Sequence, residues 1–319
     1  MYHIYIVVWG KRYVNTLRDF TLPTILSQNN LPALAQKDKV ELYIATSQED
    51  QSVIDSFTLI DEIKNFAEVK YEILNFEAIP GDKYTRMTEA HKLFCLKGKQ
   101  AGAYGLFLSP DMLLSNGAFI YFDSILTKGY QAIMMIGPRI IEEKINTLRG
   151  NTRNISAREI VSLCFKHKQA ETISFIITNN IISNDFGFII WPISDYAWIV
   201  HPLYALPIAV NMSNSDPNTI GRAIEMGDFV KAIVDNCTNR IHVVKDSDNA
   251  MIAGLTLKDE ITQLPIMSTT FNDLKNRLSR ASDYHKYYFG KQIIIHSEDI
   301  TDISMHATPV QDLVESLLK

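Results

Sequence analysis

The feature that most constrains this chain is an unbroken run of β-branched and aromatic residues, Ile4 to Trp9 (IYIVVW), followed by a regular alternation of strand and helix patterns. A run with no polar interruption suits a strand buried on both faces, and such strands belong to parallel sheets covered by helices. Helical spacing is expected from Val14 to Leu26, with Asn29, Asn30 and Pro32 marking a turn. Val40 to Thr46 reads as a second strand, Ser52 to Phe66 as a helix and Val69 to Leu74 as a third strand. Beyond Pro80-Gly81, Thr85 to Lys99 is helical, Tyr104 to Leu108 is a strand ending at Ser109-Pro110-Asp111, and Ala132 to Ile136 is a strand ending at Gly137-Pro138. Strands separated by helices predict an α/β fold with a mainly parallel sheet.

Past about residue 145 the pattern changes. Ser156 to Lys168 is expected to be a helix opened by a capping box, Ser156 with Glu159. Phe186 to Val210 reads as short strands and turns, Ile241 to Val244 as a small strand, and Thr270 to Phe289 as one long amphipathic helix stopped at Gly290. We therefore expect an α/β half over residues 1–145 and a mixed α+β half over residues 146–319, packed on the sheet as one continuous domain.

Composition narrows the function classes. A formal charge of -5 counts against a nucleic-acid binder, which needs a basic face to neutralise phosphates. Cys95, Cys164 and Cys237 are far apart and show no metal-ligand spacing, so three free thiols in a reducing, cytoplasmic setting are expected. The opening apolar run is too short for a signal segment, and Phe186 to Val210 carries Pro192, Asp195, His201, Pro202 and Pro207, too many breakers and polar groups for a spanning helix. Peripheral contact at a membrane face stays open. The basic, aromatic run Arg277 to Lys291 is the segment that would carry it, although a solvated helix with one packed face is its ordinary reading.

Ligands of open α/β sheets bind outside the carboxyl ends of the strands. That rule selects Trp9-Gly10, Thr46-Ser47, Ser109-Pro110-Asp111 and Gly137-Pro138-Arg139, whereas neither GxGxxG nor GxxxxGK[ST] occurs. Each residue has a plain structural reading beside the functional one. Asp111 is a helix cap or a site carboxylate; Trp9 and Tyr13 are core aromatics or a stacking surface for a base. His91 is a packed helix histidine or a ligand contact. His201 is a buried, hydrogen-bonded histidine or a ligand of a diphosphate or metal, and Arg139 is a surface charge or an anion fork. Asp246-Ser247-Asp248 is a literal Asp-x-Asp, but such triplets are common in surface turns.

A strand that ends in a carboxylate at Asp111 after a strand–helix series resembles the GT-A class of nucleotide-sugar glycosyltransferases. VVWGKRYVNTLRDFTLPTILSQNNLPAL looks like the opening of a group of bacterial GT-A-like proteins. MTEAHKLFCLKGKQAGAYGLFLSPDMLLSNGAF resembles their helix–strand–Pro-Asp segment, and His201-Pro202-Leu203 and Thr219 to Phe229 are similar to parts of their C-terminal half. The resemblance implies a GT-A-like, Rossmann-type sheet and transfer of a sugar from a nucleotide-activated donor to a glycan or lipid-linked acceptor in bacterial surface polysaccharide synthesis. It implies donor contacts from Trp9, Gly10, Tyr13, Thr46, His91, Ser109, Asp111 and Arg139. A divalent cation, Mn²⁺ or Mg²⁺, would sit at Asp111 with His201, and a catalytic carboxylate would come from Asp216, Glu225 or Asp228. The sequence departs from the family at Ser109, where the first carboxylate of Asp-x-Asp is missing, which counts against metal dependence. A catalytically silent nucleotide- or glycan-binding protein on the same scaffold is the alternative. A nucleotidyltransferase ranks behind both, because Trp9-Gly10-Lys11-Arg12 offers a single glycine.

Overall fold

The computed structural model describes residues 1–177, 187–214, 240–260, 270–301 and 303–319. Thirteen strands are named in chain order: β1 (Tyr2–Val7), β2 (Val40–Thr46), β3 (Glu68–Ile73), β4 (Tyr104–Leu108), β5 (Met112–Leu114), β6 (Ala132–Met135), β7 (Arg139–Ile141), β8 (Phe188–Ser194), β9 (Ala197–Pro202), β10 (Leu206–Asn211), β11 (Ile241–Val243), β12 (Ile252–Thr256) and β13 (Ile293–His296). The chain divides into two units. The first comprises Met1–Met134, Leu148–Ile155 and Leu206–His242; the second comprises Met135–Thr147, Ser156–Ala205 and Val243–Lys319. The chain thus returns twice to its first unit.

The first unit is built on a seven-stranded sheet of order β11-β6-β10-β4-β1-β2-β3. β1 pairs in parallel with β2 from Tyr2–Val40 to Val7–Ala45, and with β4 from Tyr2–Tyr104 to Ile6–Leu108. β2 continues in parallel to β3. Every residue of β1 and β2 is buried, including His3 and Glu41, whereas β3 at the edge is partly exposed; β1 begins two residues before the expected Ile4 and ends at Val7, short of Trp9. β10 joins β4 antiparallel, so a strand from late in the chain completes the sheet. Because β1, β2 and β3 step outward in one direction and β4 begins on the other side of β1, the connections diverge at β1 and β4. That divergence opens a crevice at the carboxyl ends of these two strands.

The helices follow the expected pattern with three departures. The stretch Val14 to Leu26 is helical but contains a π turn at Leu17–Thr21 between Lys11–Thr16 and Leu22–Ile25. Residues 52–66 form two helices, Gln48–Asp55 and Thr58–Ile63, separated where Phe57 turns extended and buries its ring. The expected long helix from Thr270 is likewise two, Phe271–Ser279 and Asp283–Phe289. Ser282 accepts the His285 N–H and starts a new helix rather than continuing the old one. The capping box of Ser156 with Glu159 is present, opening Ala157–Lys166. In the second unit β12 pairs in parallel with β7, and β13, β9 and β8 form an antiparallel sheet. No helix among the described residues is long and apolar enough to cross a membrane.

The helix Lys83–Ala101 is capped by Asp82, which accepts the Thr85 N–H at 2.8 Å, and it ends at Gly102 in the left-handed region. Its inner face lays Phe94 on the Tyr5 ring at 4.7 Å, close to parallel. Gly98 lets this helix approach: a Cβ there would lie 2.6 Å from Tyr5 Oη and 2.9 Å from Met212 Cβ. Gly98→Ala gains up to about 1 kcal/mol of helix propensity but overpacks at roughly 1–3 kcal/mol. The contacts win, and urea denaturation of the variant should show a net loss of stability.

Candidate functional site

The crevice is built from three loops of the first unit. After β1, Gly10 takes φ 83° and its N–H donates to Asp50 Oδ2 at 2.7 Å. Asp50 also accepts from Ser47 Oγ at 2.9 Å, so one carboxylate ties the loop after β1 to the loop after β2. A Cβ on Gly10 would meet nothing within 4 Å, so the backbone conformation and not crowding is what calls for glycine here. Trp9 is half-buried with one face stacked on Phe76 at 4.2 Å, and Tyr13 lies under the Arg12 guanidinium at 4.6 Å. Thr46, at the end of β2, is fully buried and its Oγ1 has no hydrogen-bond partner.

After β4, the Ser109-Pro110-Asp111 turn is held by Thr21. Its hydroxyl lies 2.8 Å from the Pro110 carbonyl and 2.9 Å from that of Met112, and it accepts the Met112 N–H at 3.2 Å. Thr21 closes the π turn, a local widening of the helix that recurs at functional sites. Asp111 itself is half-buried. Beside the turn, His91 is 8% exposed and its Nδ1 has no partner. Burial lowers its pKa to about 3, so the ring is neutral at physiological pH. His91, Ser109 and Pro110 line one recess together with Val7, Phe107 and Pro207.

That recess measures about 30 Å³, room for little more than a water molecule, where pockets for small ligands run to roughly 300–1,000 Å³. A ligand here would lie across the strand ends, with His91 beneath it. A larger depression of about 680 Å³ lies at the amino ends of β2 and β3. It is shallow, and Lys39 and Lys64 on its wall are already paired, with Glu41 and Asp61. It lies at the end of the sheet opposite to the one where the strand connections diverge.

Other residues singled out in the sequence belong to the second unit. Arg139 opens β7, where its Nε meets Glu171 at 3.0 Å and its Nη1 donates to Thr256 Oγ1 at 3.0 Å. Its guanidinium is already engaged, so an anion would have to compete with Glu171. His201 is fully buried in β9, Nδ1 2.8 Å from the Phe289 carbonyl, with Nε2 unpartnered and its pKa lowered to about 4 by burial. Asp216, Glu225 and Asp228 lie outside the described residues. Among the described residues, three metal-ligating side chains converge at Asp246, Asp248 and His296, whose donor atoms all lie within 4.8 Å of one another. Neither Asp111 nor His201 belongs to this group. Thr21 and Asp50 were missed in the sequence. Asp50 has a signal, the Ser-x-x-Asp spacing from Ser47, but Thr21 has none because its partners lie about ninety residues away.

No family model matches the chain, and no curated protein matches it in sequence. Among solved structures, the chain is similar to a Bacillus anthracis protein named a glucose-1-phosphate thymidylyltransferase, solved with sucrose (TM-score 0.29, 14% identity over 43% of this chain). It is similar to S. aureus TarS (TM-score 0.25, 11% identity, 43% of this chain) and to mouse xyloside xylosyltransferase 1 (TM-score 0.38, 9% identity, 76% of this chain and 85% of that one). The chain spans 55% of the first of these proteins and 21% of the second. All three likenesses are distant, with TM-scores of 0.25 to 0.38.

Two outcomes follow from that geometry. Thr21→Val keeps the shape of the side chain but strips the Ser109–Asp111 turn of its hydroxyl partner, at a cost of about 1–3 kcal/mol for the polar groups left buried. Thr21→Ser should restore most of that stability in the same denaturation assay. His91 supplies a pH dependence. Unfolded, it takes up a proton below about pH 6.5, whereas folded it stays neutral until about pH 3. Acid therefore favours the unfolded chain, and stability present in full above pH 6.5 is lost as pH falls, by about 1.4 kcal/mol per pH unit for this histidine. Urea titrations at pH 7, 6 and 5 should show a shallower slope in His91→Gln than in the parent; an equal slope in the folded variant refutes the assignment.

Proposed function

We propose that the chain is a glycosyltransferase of GT-A type that binds a nucleotide-activated sugar across the carboxyl ends of β1 and β4. The observation that carries this reading is the convergence, at the sheet's point of divergence, of Trp9-Gly10, the Thr21-held Ser109-Pro110-Asp111 turn and the buried, unpartnered Nδ1 of His91. The half-buried Trp9 ring and the neighbouring Tyr13 ring suit a base. A neutral His91 suits hydrogen bonding to a ribose or sugar, and Asp111 would hold a cation against a diphosphate. In the transfer, the bond from the sugar's anomeric carbon to the phosphate oxygen breaks and a bond to the acceptor hydroxyl forms. The diphosphate leaves with the electron pair and a base takes the hydroxyl proton. Asp216, Glu225 and Asp228 are the sequence candidates for that base. A glycan or lipid-linked acceptor, and work at the cytoplasmic face of a bacterial membrane, complete the proposal.

Ser109 favours a second reading. A serine in place of the first carboxylate weakens any metal site at Asp111, which suits a scaffold that binds a nucleotide or glycan without turning it over.

The test is a thermal-shift series with UDP, GDP, CMP, ADP and dTDP and their sugar conjugates, with and without Mn²⁺, since a ligand that binds only the native state raises its stability. At least one conjugate should stabilise the protein. Trp9→Ala should weaken its binding by roughly 1–3 kcal/mol if the ring stacks on the base. Asp111→Asn should keep the fold and lower transfer by a large factor. Silence across the whole series removes the donor-binding reading, and binding without turnover in acceptor screens favours the second.

A further inference from the structure

The convergence of Asp246, Asp248 and His296 lies in the second unit and is independent of the donor site proposed above. Three observations make it more than an acidic turn. The first is how the two segments are joined. Ser247, between the carboxylates and 3% exposed, has its Oγ 3.1 Å from the His296 N–H and 3.4 Å from the His296 carbonyl, and its own N–H donates to the Ile294 carbonyl at 3.0 Å. The Asp-Ser-Asp triplet is thereby locked in register against the end of β13, and both carboxylates face the imidazole.

The second observation is the orientation of His296. The residue is 7% exposed, and its Nδ1 lies 2.8 Å from the Glu298 carbonyl oxygen, which can only accept. Nδ1 therefore carries a hydrogen, which leaves Nε2 as the atom turned to the carboxylates, 3.1 Å from Asp246 Oδ1 and 3.8 Å from Asp248 Oδ2. Carboxylate oxygens only accept, so either a proton on Nε2 or a metal ion joins these three groups. A histidine whose other nitrogen donates to a carbonyl is the usual arrangement of a metal-ligating imidazole.

The third is local charge. Arg158 is bidentate to Asp248 at 3.0 and 2.8 Å and paired with Asp299 at 2.6 Å, whereas Asp246 has His296 as its facing side chain.

We propose that Asp246, Asp248 and His296 form a divalent-metal site. One imidazole nitrogen and two carboxylate oxygens select a borderline ion such as Zn²⁺, with Mn²⁺ as the weaker occupant. With ligand bonds of about 2.0–2.2 Å, ligand atoms 3.1 and 3.8 Å apart bracket the edge of a tetrahedron around the ion. Water takes the open position, and Arg158 orients Asp248 from behind. The ion would clamp the loop after β11 to the end of β13.

The experiment is calorimetric titration of the full chain with Zn²⁺, then with Mn²⁺, alongside the ring nitrogen signals of His296 by NMR. One equivalent of Zn²⁺ should bind, raise the melting temperature and shift Nε2 to a metal-bound position while Nδ1 keeps its proton. The paired change Asp246→Asn with Asp248→Asn should weaken Zn²⁺ more than tenfold. If the paired variant fails to fold, the absorption spectrum of Co²⁺ added to the parent decides, since a site of this kind gives tetrahedral bands. Absence of stoichiometric Zn²⁺ binding overturns the proposal, as does affinity unchanged in the paired variant. A His296 ring that keeps protons on both nitrogens with Zn²⁺ present overturns it too, because the proton is then the occupant.

Discussion

The Tyr5 ring is the contact on which the first unit depends. It stacks on Phe94 of the helix Lys83–Ala101, touches Phe107 of β4 at 5.0 Å between centroids, and occupies the space that Gly98 and Gly105 leave open. One large aromatic on the central strand thus sets the height of that helix above the sheet. His91 sits one turn before Phe94 on the same helix, so the position of the candidate ligand contact is inherited from the Tyr5 packing. The two glycines are needed because a ring of this size leaves no room for a Cβ on either neighbour.

The same face of the sheet carries an unusual polar load. His3 Nδ1 lies 2.9 Å from Tyr5 Oη, while its Nε2 approaches Glu41 at 3.3 Å. Burial lowers the His3 pKa to about 4 despite that neighbour. Burial alone would raise the Glu41 carboxyl, but hydrogen bonds from Lys39, Lys70 and Tyr43 outweigh it and hold the group well below the usual carboxylate range. Glu41 therefore stays charged, and the lysines reach it from the rim with their heads in solvent. Buried charge is tolerated here because it is fully partnered. Unlike the Glu41 carboxylate, His3 Nε2 on this face and His91 Nδ1 beside the crevice are buried without a hydrogen-bond partner.

Much of the architecture was legible beforehand. β2 and β4 fall on their expected residues because short, mostly apolar and aromatic runs bounded by polar or turn residues have few alternatives, and the Ser156 capping box is a local, three-residue signal. Helix continuity was less legible. The apolar period runs through Phe57 and through Ser282, but backbone conformation at each breaks the helix, and periodicity does not register a change of φ and ψ at one residue. At the site, Trp9, Gly10, Thr46, His91, Ser109 and Asp111 all lie in the first unit near the strand ends, whereas Arg139 and His201 lie in the second, tied to Glu171 and to the Phe289 carbonyl. Strand-end position is readable from a pattern; whether a charged group is already spoken for is not.

The sequence alone determined which segments are buried strands, which helices begin at a cap, and that carboxyl strand ends would gather Trp9-Gly10 and Ser109-Pro110-Asp111, because hydrophobic period and capping act over a few residues. Only the tertiary structure decided that β10 returns to pair antiparallel with β4, that Thr21 holds the Ser-Pro-Asp turn, and that the aspartates at 246 and 248 meet an imidazole about fifty residues away. Those outcomes rest on contacts between distant segments. They are set by how closed surfaces fit, and no local pattern carries that information.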